Sequence, residues 1–157
     1  MNVFRLMVAV AACTVIGACG ARYSTTVPGP IGPTRDAELA VQELMLRNLV
    51  PQESDRDIVL VGVGESRLDC ADPSPALLER FAGTAPALVP VSAYDGDRHP
   101  NALLIVLGPA EWTSGSEGAI AVTRVRFGAG GSDGFTARVA WKDETWKVVG
   151  TSRHWST

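Results

Sequence analysis

Residues Phe135 to Thr151, FTARVAWKDETWKVVGT, alternate apolar and polar side chains on either side of one acidic pair. A period of two is the mark of a half-buried strand, and two such runs around a short polar break read as a β-hairpin. With Asp143 and Glu144 as the loop, Trp141 falls opposite Trp146 and Val139 opposite Val148. One face then carries Phe135, Ala137, Val139, Trp141, Trp146 and Val148, and the other carries Arg138, Lys142 and Lys147. Trp141 and Trp146 are core by parity.

Upstream of the hairpin, Ala87 to Ala93, Ala102 to Trp112 and Ala119 to Phe127 read as further strands, set apart by Gly, Pro, Asp and Ser clusters. Asp57 to Gly64, DIVLVGVG, is rich in β-branched residues and too short for a typical helix, so it reads as a buried strand. Ala37, Ala40, Val41, Leu44 and Met45 recur at helical spacing and predict a helix from Arg35 to Val50, with Glu43 pairing to Arg47 one turn on and Pro51 as the stop. Ser74 as N-cap, Pro75 at the first position and Gly83 at the exit predict a second helix over Pro75 to Ala82. The order predicts an α+β domain: an N-terminal helix and a short second helix packed on a curved, mainly antiparallel sheet. With the closing strand W-K-V-V at Trp146 to Val149, this order is similar to the cone-shaped folds of the nuclear-transport-factor-2-like and cystatin-like families. The resemblance implies a concavity between helix and sheet that is able to hold a pocket.

The N-terminus has a different character. Arg5 supplies one positive charge, an apolar run follows from Leu6 to Gly17, and Ile16-Gly17-Ala18-Cys19 closes it. A membrane-spanning helix needs about twenty apolar residues, so this run reads as a cleavable h-region. The layout resembles the signal peptide and lipobox of a bacterial lipoprotein. That resemblance implies removal of residues 1–18, a diacylglycerol on the Cys19 sulfur, and stable attachment, since two acyl chains hold where one does not. An ordinary secretory signal is the competing reading. Gly20 is not the aspartate that retains such proteins at the inner membrane in enterobacteria, so the resemblance implies the periplasmic side of the outer membrane where a cell has two. Residues 19–33 then form a lipidated cysteine with a Pro/Gly-rich tether (Pro28, Gly29, Pro30, Gly32, Pro33), and residues 34–157 form one globular domain.

Composition bounds the rest. The chain is 46% hydrophobic and 20% charged with a net charge of −3, a globular balance with no nucleic-acid partner implied. Cys13 leaves with the signal and Cys19 takes the lipid, so Cys70 has no intramolecular partner. Charge is unevenly spread: Gly20 to Gly118 holds seven Lys/Arg against fourteen Asp/Glu, whereas Ala119 to Thr157 holds six against three. Arg124, Arg126, Arg138, Lys142, Lys147 and Arg153 are thus candidates for one basic sheet face that meets anionic lipid headgroups, a glycan or an acidic envelope protein. A solvated, charged edge is the plainer alternative.

Asp95, Asp97 and His99 stand at alternate positions and are candidates for a divalent metal, or else the polar residues of a turn. Trp155, beyond the predicted last strand, either sits exposed in a partner or glycan site or folds back as a plug, the plug being preferred. No phosphate loop, dinucleotide fingerprint or G-x-S-x-G elbow is present. No catalytic residue and no cofactor are assigned. The sequence favours a non-enzymatic, lipid-anchored binding or structural module, with an enzyme or small-ligand carrier built on the helix–sheet concavity as the alternative.

Overall fold

The structure, a computed structural model, describes residues 25–128 and 130–157. Cys19 and the whole signal segment lie outside the described residues. The elements are β1 (Thr26–Pro28), α1 (Arg35–Leu49), β2 (Ile58–Ser66), β3 (Asp69–Ala71), α2 (Pro75–Glu79), β4 (Ala87–Pro90), β5 (Leu103–Ser114), β6 (Glu117–Arg126), β7 (Ser132–Lys142) and β8 (Thr145–Ser156). They form one sheet in the order β1-β8-β7-β6-β5-β2-β3, with β4 also paired to β2. Strands β5 to β8 are joined antiparallel in sequence, while β2 runs parallel to both β4 and β5.

The α+β expectation is overturned. Strand accounts for 48% of the structure and helix for 20%, and the architecture is a curled half-barrel sheet with one substantial helix, α1. Two physical facts shift the balance. Strands β5 to β8 are ten to twelve residues long, past the ends that periodicity marks. The second helix stops after five residues at Glu79: Phe81 and Ala82 donate to Leu78 and Glu79 three residues back, tight turns that unwind the helix before Gly83, whose φ of +78° completes the exit.

Helix α1 sits inside the curl. Thr34 caps it, its hydroxyl accepting from the Ala37 amide at 3.1 Å, and Asp36 and Glu38 complement the N-terminal dipole. Val41, Leu44, Met45, Leu46 and Leu49 are fully buried and belong to the same cluster as Leu103, Ile105 and Leu107 of β5, Ile120 of β6, Val139 of β7 and Trp146 of β8. On β5 the intervening Leu104 and Val106 face the other way and join Ile58, Leu60 and Val125 in a smaller cluster, packed by Val89, Val91 and Phe127. Burial on both faces is why this stretch of β5 reads as an unbroken apolar run.

The hairpin has the register its alternation implies. Trp141 pairs with Trp146 and Val139 with Val148, and Asp143 and Glu144 take φ values of 53° and 61°, the left-handed pair a two-residue hairpin turn requires. Beyond Val148 the strand bulges at Val149 and again at His154, yet continues to Ser156, so Trp155 lies within β8.

Residues 25–33 correct the expectation of a free tether up to Pro33. Val27 is buried opposite Trp146, the Trp146 indole N–H donates to the Pro30 carbonyl at 3.1 Å, and the Thr25 amide donates to Asn48 Oδ1 at 3.2 Å. Gly29 and Gly32 permit this approach, since a Cβ would fall 2.7 Å from that of Ala40 at the first and 2.8 Å from the Trp112 ring at the second. Residues 25–33 therefore pack with the domain ahead of residue 34.

Candidate functional site

The concavity that a pocket would need is occupied by side chains. Trp146, fully buried, meets Trp112 at 5.4 Å and Trp141 at 5.8 Å between ring centroids, and α1 fills the remainder. The interior is a packed core, and chemistry has to come from its ends or its outer surface.

One end of the core is ionic. Along β6, Ile120, Val122, Arg124 and Arg126 share one parity, and Arg124 pairs across with Asp133 of β7, so both guanidiniums point to the core side. Arg124 donates to Asp133 from Nε at 3.1 Å and from Nη2 at 2.7 Å. Arg126 donates to Glu53 Oε1 from Nε at 3.0 Å and from Nη2 at 2.5 Å, and to Asp133 Oδ1 from Nη1 at 3.2 Å. Arg56 adds a longer contact to Glu53 at 3.4 Å and a hydrogen bond to Asn101 Oδ1 at 2.7 Å. Glu53 and Asp133 are buried. The Glu53 hydrogen bond is the chief reason that Arg126 holds its proton more firmly than usual. Each carboxylate is saturated by guanidinium, which leaves no free acid or base; the cluster seals the mouth of the core where α1 ends.

This corrects the basic face expected of β6 to β8. Arg124 and Arg126 are consumed by internal carboxylates. Arg153 is exposed and borders a shallow polar depression of about 210 Å³ beside them. Arg138 and Lys142 are exposed on the outer face, Lys147 pairs with Asp143, and a Cβ on Gly150 would fall 2.8 Å from Arg138 Nη2, which lays that guanidinium along β8. Trp155 is no plug. It is 42% exposed and lies against Gly134, where a Cβ would come 2.5 Å from its indole nitrogen.

Asp95, Asp97 and His99 form a turn. Asp95 Oδ1 accepts from the amides of Asp97 (3.1 Å) and Arg98 (3.4 Å), its other oxygen pairs with Arg98 at 3.2 Å, and the His99 amide donates to the Asp95 carbonyl. Among the described residues no group of three His, Cys, Asp or Glu side chains is close enough to hold a metal ion. Cys70 is free and half-buried, its thiol pushed up by burial and, less strongly, by Asp69 and Asp72. A reactive thiolate needs the opposite electrostatics.

Glu53 escaped sequence reading because it sits in the 3₁₀ turn Val50–Glu53 with no periodic partner. The inward Arg124 and Arg126 were findable: they continue the parity of Ile120 and Val122.

No family model, no curated protein and no solved structure matches the chain. The lipoprotein and cone-fold resemblances therefore rest on the residues that carry them.

Proposed function

We propose that this protein is a lipid-anchored domain of the cell envelope, a non-enzymatic module held at the periplasmic side of the outer membrane where two membranes exist. The observation that carries the reading is the spacing between lipobox and fold. Five residues lie between Cys19 and Thr25, the first described residue of the packed chain. At roughly 3.3 to 3.6 Å per residue that leash spans at most about 20 Å. A diacylated Cys19 would hold the Asn48 end of α1, whose side chain accepts from the Thr25 amide, close to the headgroups, leaving the far side of the sheet to meet a partner.

The partner surface is the outer side of β7 and β8. Val149 and Trp155 are exposed there among Arg138, Lys142 and His154, a mixture of aromatic, aliphatic and arginine side chains typical of protein interfaces. The two bulges in β8 break the regularity an added strand would need, so docking is through side chains. The filled concavity favours this reading over an enzyme or ligand carrier whose pocket lies inside the curl.

Replacement of Cys19 tests the anchor. Cys19→Ala should abolish incorporation of a fatty-acid probe and leave uncleaved precursor. Cleavage of Cys19→Ala at the wild-type position would point to an ordinary secretory signal instead.

A further inference from the structure

Trp155 is laid out as a platform on the outer face of the sheet. Its cross-strand partner on β7 is Gly134, and a Cβ there would fall 2.5, 2.6 and 2.9 Å from the adjacent ring atoms Nε1, Cε2 and Cζ2. Three neighbouring atoms at nearly one distance mean that the indole lies face down on the glycine, with 42% of the residue open to solvent. An indole held this way does not project into a partner's pocket. It offers a flat apolar face, negative at its centre, with an N–H at its edge.

Hydrogen-bonding groups of both kinds surround that face. Thr136 stands two residues along β7 from Gly134, and its hydroxyl meets His154 Nε2 at 2.7 Å. Arg138, two residues further and roughly 13 Å from Gly134 at about 3.3 Å per residue, is exposed. On the other flank Thr136 lines a depression of about 210 Å³ in the outer face, floored by Gly108, Ala119 and Ala121 and bordered by Glu65 and Glu111. Ala119 pairs with Arg138 and Ala121 with Thr136, so the depression and the platform are continuous. Arg138, Glu65 and Glu111 form no ion pair among the described residues. An anion would meet two carboxylates here and a cation would meet a guanidinium, whereas a neutral ligand rich in hydroxyls finds acceptors on one side and donors on the other.

We infer that the outer face of β5 to β8 binds a neutral glycan of β-linked, gluco-configured pyranoses. The axial C–H bonds of one ring stack on the negative face of Trp155. The neighbouring rings lie across the depression, their hydroxyls accepting from Arg138 and donating to Glu65 and Glu111. The low floor of glycine and alanine lets a flat chain approach the sheet. This inference rests on the reading of the outer side of β7 and β8 as the partner surface and names the partner; it does not depend on the lipid anchor.

The test is titration of the full-length protein in a polyoxyethylene detergent, which carries no sugar, followed by calorimetry and tryptophan fluorescence. Chitotetraose and cellotetraose are the probes, and sorbitol is an acyclic counterpart with hydroxyls but no ring face. The tetrasaccharides should bind with a Kd near or below about 1 mM, and sorbitol should not bind up to about 10 mM. Trp155→Ala should lose at least about tenfold in affinity with its melting temperature unchanged, because the side chain lies on the surface. Trp155→Phe keeps a flat ring and should stay within about threefold of wild type, and Arg138→Ala and Glu111→Gln should each lose about threefold or more. Equal affinity in wild type and Trp155→Ala, or no binding of either tetrasaccharide up to about 10 mM, would overturn the inference. In the second case, a protein that co-purifies with wild type and is lost from Trp155→Ala would leave the partner surface standing with a protein as its occupant, so the two readings fail separately.

Discussion

Truncation of Trp146 to alanine should be among the most damaging single changes in this domain. An indole buries about 150 to 250 Å², which at about 25 cal/mol per Å² is worth roughly 4 to 6 kcal/mol. The observed range for large aromatic truncations is about 3 to 5 kcal/mol, scaling with how little the site collapses. Here collapse is hindered, because the neighbours Leu44, Ile120 and Val139 are themselves buried on rigid elements. The edge contacts to Trp112 and Trp141 are lost as well. A destabilisation of about 4 kcal/mol is thus expected, a large share of the 5 to 15 kcal/mol of a typical domain. In urea the chain from Gly20 onward should lose about 2 M from its midpoint. Lys142→Ala, an exposed change, should stay within about 0.5 kcal/mol of wild type. Trp146→Phe separates packing from tethering, since it keeps most of the ring but loses the N–H donated to Pro30. It should expose residues 26–33 to proteolysis at a smaller cost in global stability. A Trp146→Ala protein within about 1 kcal/mol of wild type would refute the core assignment.

Two further outcomes follow from the ionic end and the lone thiol. Glu53→Gln should cost roughly 2 to 3 kcal/mol, because Arg126 keeps its burial and loses its counter-charge, and adding Arg126→Met should recover much of that loss; an unchanged urea midpoint for Glu53→Gln would show that the cluster contributes nothing to closing the core. Cys70 in the native chain from Gly20 should react with a maleimide at pH 8 about tenfold more slowly than free cysteine, the rate rising with pH because the raised thiol pKa limits the thiolate, and reaction at the rate of free cysteine would contradict the burial that raises it.

The hairpin and α1 were legible because in each a local period coincides with a buried face. In β7 and β8 the alternation also fixes partners, since a slip of one residue would turn Trp146 outward. The fold class was not legible, because it turned on lengths. The Ser74, Pro75 and Gly83 signals do mark a helix start and a chain exit, but the three residues between Glu79 and Gly83 take tight turns. Strand β1 was hidden by composition: Pro28, Pro30 and Pro33 read as spacer, and within Thr26–Pro28 Val27 is the sole alternating apolar position. Its pairing is supplied by β8 and by the indole of Trp146, which local sequence does not encode. An edge strand tolerates proline where an interior one would not.

The two polar features differ in how a sequence reader can reach them. Arg124 and Arg126 share the parity of Ile120 and Val122, so two charges on an apolar face demand buried counter-ions, and Asp133 across the next hairpin is the nearest candidate. Parity alone therefore argues against a basic docking face on β6. Gln42 carries no such warning. It follows Ala40 and Val41 in an amphipathic helix where a glutamine ordinarily marks the solvent side, and the end of β2 and the turn into α2 cover it there. A helix enclosed on most of its circumference turns its own polar residues into interior ones that need partners, as Glu43 takes Arg47 and Arg80 and Asn48 takes Leu44 and Thr25, whereas Gln42 keeps its amide at the wall of an open depression beside Leu39 and Val63.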